Sequence, residues 1–192
     1  MKFPHNPCWD FALAVYRRRG VEEACLALQE RHGVDVNVLL FCCWLGASGR
    51  GALSEGETAQ ALAAVGQWHG AVVGGLRAVR GVLKGGLGPA PRELGDALRR
   101  QVLACELDAE HVQQIMLCAA VERPEPANKP SIDRRAGDAA ITVARYFAAL
   151  GVAVTGQEIS ELEVILGASF PQLEREKVTA LCGSFGPPAT SL

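Results

Sequence analysis

The chain has 192 residues, of which 49% are hydrophobic, 21% charged and 6% aromatic, and its formal net charge is −2. A chain of this length can bury roughly 70% of the surface that it exposes when unfolded. The composition excludes a disulfide-dense miniprotein, a collagen-like chain, a long disordered acidic tail and a strongly basic nucleic-acid binder.

Before the first basic run, Arg17 to Arg19, the apolar residues are interrupted by Pro4, His5, Asn6, Pro7 and Asp10, which does not match a secretory leader. The longest apolar stretch elsewhere, from Val38 to Ala47, is about half the ~20 residues that span a bilayer. These features predict a soluble cytoplasmic protein with no membrane span. The seven cysteines are an odd number, and Cys25, Cys42, Cys43, Cys105 and Cys118 sit at apolar helix-interior positions, which predicts reduced, buried thiols. There is no Cys-x-x-Cys, and His5, His32, His69 and His111 are scattered, so neither a metal site nor a cofactor is expected.

In chain order, Trp9, Ala12, Leu13 and Tyr16 mark one face of a first helix. Arg17 to Arg19 are read as its last turn, with Gly20 closing it in the left-handed conformation. Val21, Ala24, Cys25 and Leu28 repeat the spacing up to Gly33. Asp35 is placed to cap a third helix that is apolar nearly all round through Leu45, the pattern of a central core helix. Gly46-x-x-Gly49-x-Gly51 follows a helix and not a strand, so it reads as a helix–helix turn rather than a phosphate cradle.

Ser54 with Glu57 fits a capping box for a long alanine-rich helix to about Lys84, with a break expected near residues 66–70 where glycines interrupt it. After a Gly/Pro loop, Pro91 should occupy a first-turn position of a helix running to about Glu106. Asp108 should cap another, with Val112, Ile115, Met116 and Ala119 on its apolar face. The proline-rich stretch 123–131 is linker-like and divides a helical core domain, 1–122, from a C-terminal helical segment, 132–192, packed on it. Thr155 with Glu158 resembles a second capping box, and Pro171 should open the last helix. No sustained period-2 alternation occurs, so the expected fold is all-α, a compact bundle of about seven to nine helices.

No nucleophile elbow, His-Glu-x-x-His pair or Cys/His constellation is present. Asp133 and Asp138 are five apart and do not reproduce the Asp-x-x-x-Asp pattern of diphosphate-metal enzymes. The polar and aromatic candidates for a ligand pocket are Asp10, Asn37, Trp44, Trp68 and His69, with His69 able to serve as a general base if a carboxylate orients it. Core filling and helix-end satisfaction account for the same residues. Arg77, Arg80 and Lys84, at i, i+3 and i+7, form a basic stripe that is either a solvated face or a docking site for an acidic partner. Residues 71–100 hold six basic and two acidic side chains but no aromatic residue for base stacking, which disfavours nucleic acid.

The segments Trp9-Asp-Phe-Ala-Leu-Ala-Val-Tyr16, Gly20-Val-Glu-Glu-Ala-Cys-Leu-Ala-Leu-Gln29 and Gly33-Val-Asp-Val-Asn-Val-Leu-Leu-Phe-Cys-Cys-Trp44 resemble a family of small bacterial proteins known as a domain of unknown function, mainly from proteobacteria. The likeness is sharpest over residues 9–46 and extends to about residue 122. It implies a bacterial cytoplasmic helical protein and supplies no catalytic residue. The expected function is therefore that of a non-enzymatic protein-interaction or adaptor module that binds a protein partner or itself. The alternative is a small-molecule-binding protein or enzyme with a pocket between helices around Asp10, Asn37, Trp44 and His69.

Overall fold

The computed structural model describes residues 3–85 and 90–185. These form nine α-helical segments and no strand: α1 (Pro7–Tyr16), α2 (Val21–His32), α3 (Val36–Ser48), α4 (Glu55–Trp68), α5 (Gly74–Lys84), α6 (Arg92–Val121), α7 (Ile132–Ala149), α8 (Gly156–Ser169) and α9 (Arg175–Gly183). The fold is the expected all-α bundle. No helix among the described residues is long and apolar enough to cross a membrane.

Helix α3 lies at the centre because it has no polar face to offer water. Every residue from Asn37 to Gly46 is buried, and α1, α2, α6, α7 and α8 all pack against it. Its closest neighbour is α7, whose buried Ala136, Ala139 and Ala140 permit a near approach. At Gly46 a Cβ atom would stand 2.6 Å from the Ala139 Cβ and closer still to the Arg135 carbonyl, so only glycine fits.

The caps predicted at Asp35, Ser54 and Thr155 are observed. Asp35 Oδ1 accepts from the Asn37 amide at 2.9 Å, and the Ser54–Glu57 and Thr155–Glu158 boxes are both closed. Glu158 does more than cap α8. It pairs with Arg31 at 3.0 Å and His32 at 2.9 Å, tying the end of α2 to the start of α8. The Thr155 hydroxyl and the His32 ring, in that order, hold its carboxyl well below the usual carboxylate range.

Several local expectations are corrected. Helix α1 ends at Tyr16, so the arginines lie beyond it; Gly20 is indeed left-handed, and Arg18 donates to the Ala168 carbonyl in the last turn of α8. The expected break near residues 66–70 is a π turn, His69–Val73, that joins α4 to α5 as one continuous rod. Helix α6 runs unbroken through Asp108 over its 30 residues, because a potential cap residue does not end a helix whose next turn is also packed. Pro91 sits at its N-cap and not in its first turn. Pro171 lies in a turn, and α9 starts at Arg175. Residues 86–89 of the Gly/Pro loop lie outside the described residues.

Cysteines 8, 25, 42, 43 and 182 are buried thiols, whereas Cys105 is exposed and Cys118 half-buried. The 123–131 stretch is pinned to the end of α3: Arg50 Nε donates to the Arg123 carbonyl at 2.9 Å, Arg123 donates back to the Arg50 carbonyl at 3.2 Å, and Arg123 also pairs with Glu57.

The α3–α7 contact generates a prediction. Gly46→Ala should destabilise the protein by about 1–3 kcal/mol through overpacking, a Tm loss of roughly 2–12 °C. Gly66→Ala, on an exposed helix face with nothing near its Cβ position, should instead be neutral or stabilising by up to ~1 kcal/mol. Thermal denaturation of the two variants checks both signs.

Candidate functional site

The sequence places Val112, Ile115, Met116 and Ala119 on one apolar helix face after Asp108, yet the buried residues of α6 are Glu106, Ala109, Gln113, Gln114 and Leu117. Polar side chains sit where a simple apolar stripe would predict aliphatic ones. Each has a partner, as burial of an amide or carboxylate requires. Gln114 donates from Nε2 to the Asn37 carbonyl at 3.0 Å and accepts from the Cys8 thiol at 2.8 Å. Gln113 donates to Asp35 Oδ2 at 2.5 Å, and the Tyr146 hydroxyl accepts from the Asp35 amide at 2.7 Å.

Asp35 is thus a junction as well as a cap. Its Oδ2 also meets His69 Nδ1 at 2.9 Å, which places an oriented Asp–His pair at the first residue of the π turn. The carboxylate that His69 would need as a base is present, supplied by a residue read from sequence only as a helix cap. The hydrogen bond that the ring donates to Asp35 raises the imidazole above its ordinary value despite partial burial. Trp68, the preceding residue, donates its indole N–H to the Ala109 carbonyl at 3.0 Å and so fastens α4 to α6.

The other expected pocket residues are dispersed. Asp10 is exposed on α1 and pairs with His5 at 3.3 Å. Asn37 lines a cleft of about 570 Å³ between α1, α2, α5 and α6, whereas Trp44 lines a separate cleft of about 300 Å³ at the far end of α3. The two clefts share no lining residue, and His69 lines neither of them.

The basic stripe is largely consumed within the fold. Arg77 binds Glu106 at 3.1 Å, Glu110 at 3.0 Å and Gln29 at 2.8 Å, and Arg80 binds Glu106 at 2.5 Å. The two guanidinium groups draw the buried Glu106 carboxyl down against its desolvation. Burial raises Glu110. Lys84 has no ion-pair partner among the described residues.

Beyond this clamp, α5 and the first half of α6 form an arm that the core does not cover. Helix α5 has no buried residue. Val79, Val82, Leu94 and Leu98 are 50%, 53%, 66% and 48% exposed. At 100° per residue they fall on the flank opposite Arg77 and Leu103, which face the larger cleft. The arm cations Lys84, Arg92, Arg99 and Arg100 are accompanied by only Glu93 and Asp96, and Arg99 Nε is buried with no hydrogen-bond partner.

The Asp35–His69 pair has a definite pH signature. A folded value raised above about 6.5 means that the pair's stabilisation is complete below pH ~6.5 and fades as pH rises through the folded value. An NMR titration should place the His69 midpoint above 6.5. Asp35→Asn, which keeps a capping oxygen, should bring it to 6.5 or lower and flatten the alkaline decline in stability.

No curated protein and no solved structure matches the chain. A family model described as a protein of unknown function, DUF2390, matches residues 7–117, from the start of α1 to the buried Leu117 of α6. That span contains the Asp35 junction, the Arg77–Glu106 clamp and the whole arm, and it covers more than half of the sequence. The chain therefore belongs to the DUF2390 family.

Proposed function

We propose that the protein is a non-enzymatic interaction module whose α5–α6 arm docks an acidic, amphipathic helical segment of a protein partner. One observation carries this reading: of the ten large hydrophobic side chains exposed among the described residues, five lie on this one arm, with Val79, Val82, Leu94 and Leu98 on the flank turned away from the cleft and Leu103 facing it. Clustered exposed aliphatic side chains flanked by charge are the usual mark of a docking face. Val79 with Val82 and Leu94 with Leu98 provide two ridges at i, i+3 and i, i+4, suited to the apolar stripe of a third helix.

Charge chooses the partner. Four cations against two carboxylates favour an acidic segment, and the same charge disfavours two arms of this chain meeting face to face. The docking charge differs from the stripe expected from sequence, because Arg77 and Arg80 serve the fold and Lys84 is joined by arginines further along α6. A cytoplasmic setting with reduced thiols belongs to this reading.

The test uses a Leu/Glu amphipathic peptide of about 20 residues and its Leu/Lys counterpart. The Leu/Glu peptide should bind, weaken as salt rises from about 0.1 M to 1 M, where the screening length shrinks from ~10 Å to ~3 Å, and lose binding with Leu94→Asp/Leu98→Asp. Equal binding of the Leu/Lys peptide, or unchanged binding to the double variant, contradicts the proposal. So does a homodimer that the double variant dissociates.

The Asp35–His69 pair favours a second reading, a general base for a small substrate. Under that reading His69→Ala abolishes a turnover that Leu94→Asp leaves intact. Under the first, His69→Ala retains peptide binding.

A further inference from the structure

The smaller cleft lies at the opposite end of α3 from the Asp35 junction, apart from the arm. Its volume is about 300 Å³, and it is walled by the N-terminal segment, α3, α6 and the loops after α3 and α6. Phe41, Trp44, Leu45 and Ile115 supply an apolar interior. Two of its polar groups lack the partners that their surroundings demand.

Asn6 is the first. It is 7% exposed, and its Oδ1 caps α1 by accepting from the Cys8 amide at 3.1 Å and the Trp9 amide at 3.4 Å. That role fixes which edge of the amide carries oxygen, so Nδ2, on a residue that lines the cleft, is a buried donor with no hydrogen-bond partner. An unmatched buried donor is uncommon in folded proteins and destabilising where it occurs.

Arg50 is the second. Its guanidinium stacks 4.5 Å above the Trp44 ring, its side chain is 13% exposed, and its Nε is used by the Arg123 carbonyl. The one carboxylate that it meets among the described residues, Glu125, stands 3.6 Å away and is 71% exposed, a weak solvated contact for a largely buried cation. Arg123 beside it differs, being held by Glu57 at 2.6 Å. The cleft therefore offers an uncommitted guanidinium edge and an amide N–H, donors in excess, around an apolar hollow.

We propose that this cleft binds a small monocarboxylic acid, its carboxylate held by Arg50 and the Asn6 amide and its apolar body lodged against Phe41, Trp44, Leu45 and Ile115. The pairing follows from chemistry. A guanidinium and one amide N–H match the two oxygens of a carboxylate, and a hollow of this size takes a hydrocarbon body of modest length. Cys118, also in the wall, reports occupancy.

The experiment titrates the full chain with sodium octanoate, read by calorimetry and by iodoacetamide labelling of Cys118, with the exposed Cys105 as internal reference. Octanoate should bind and slow labelling of Cys118 severalfold while leaving Cys105 unchanged. Octan-1-ol, which lacks the carboxylate, should bind at least about tenfold more weakly, and Arg50→Gln should lower octanoate affinity by about tenfold or more. Glu125→Gln, an exposed change that frees Arg50, should strengthen binding. Absence of Cys118 protection, equal protection by octan-1-ol, or octanoate affinity unmoved by Arg50→Gln overturns the proposal. If Arg50→Gln does not fold, the Glu125→Gln arm decides, and failure to tighten binding overturns it.

Discussion

The complete burial of α3 is the constraint on which the rest of the structure depends. A helix with apolar residues on all sides can be stable in water only if other helices enclose it, and here α1, α2, α6, α7 and α8 do so. The enclosure must also satisfy the polar ends of that helix, whose first amides and last carbonyls have no partners within it. Asp35 meets the first need and Gly49, left-handed at φ 85°, the second. Because Asp35 is itself buried, its carboxylate requires further donors, and His69 and Gln113 provide them from the π turn and α6. A single capping residue thereby fixes how three separate parts of the chain meet.

The same logic separates body from arm. Where α6 crosses the body its buried amides Gln113 and Gln114 are matched to side-chain and backbone partners. Toward its N-terminus α6 runs beside α5, and the Arg77–Glu106–Arg80 clamp is the ion-pair tie between them among the described residues. Beyond the clamp the hairpin retains aliphatic side chains that two helices alone cannot bury. That surplus distinguishes the arm from the remainder of the surface and supports its assignment to a partner.

Much of this is legible in local sequence. The three acidic or hydroxyl caps at Asp35, Ser54 and Thr155 and the core character of α3 follow from rules that act within one helical turn, and all are present in the structure. What escapes such rules depends on distant partners. Nothing near Arg77 or Arg80 indicates that Glu106 will neutralise them, and nothing near Asp35 indicates His69, 34 positions away. The continuity of α6 through Asp108 and of the α4–α5 rod through its glycines is decided by packing against neighbours, which overrides modest helix propensities. Leu94 and Leu98 show the converse: their spacing is that of a buried face, but the fold supplies no surface to cover it. A signal was nevertheless available for Gln113 and Gln114, since adjacent amides within the otherwise apolar stretch 112–121 require buried partners.

On the reading we propose, the arm stands outside the cooperative core and is kept for a partner. Native-state hydrogen exchange tests this most directly, because amides exchange through local openings where few buried contacts oppose them. Amides of residues 76–84 and 96–103 should exchange much faster than those of α3 and α7, with protection falling sharply on the arm side of Glu106. Protection of the arm equal to that of α3 would contradict it, for the arm would then be part of the core and its aliphatic ridges would not be a surface in waiting.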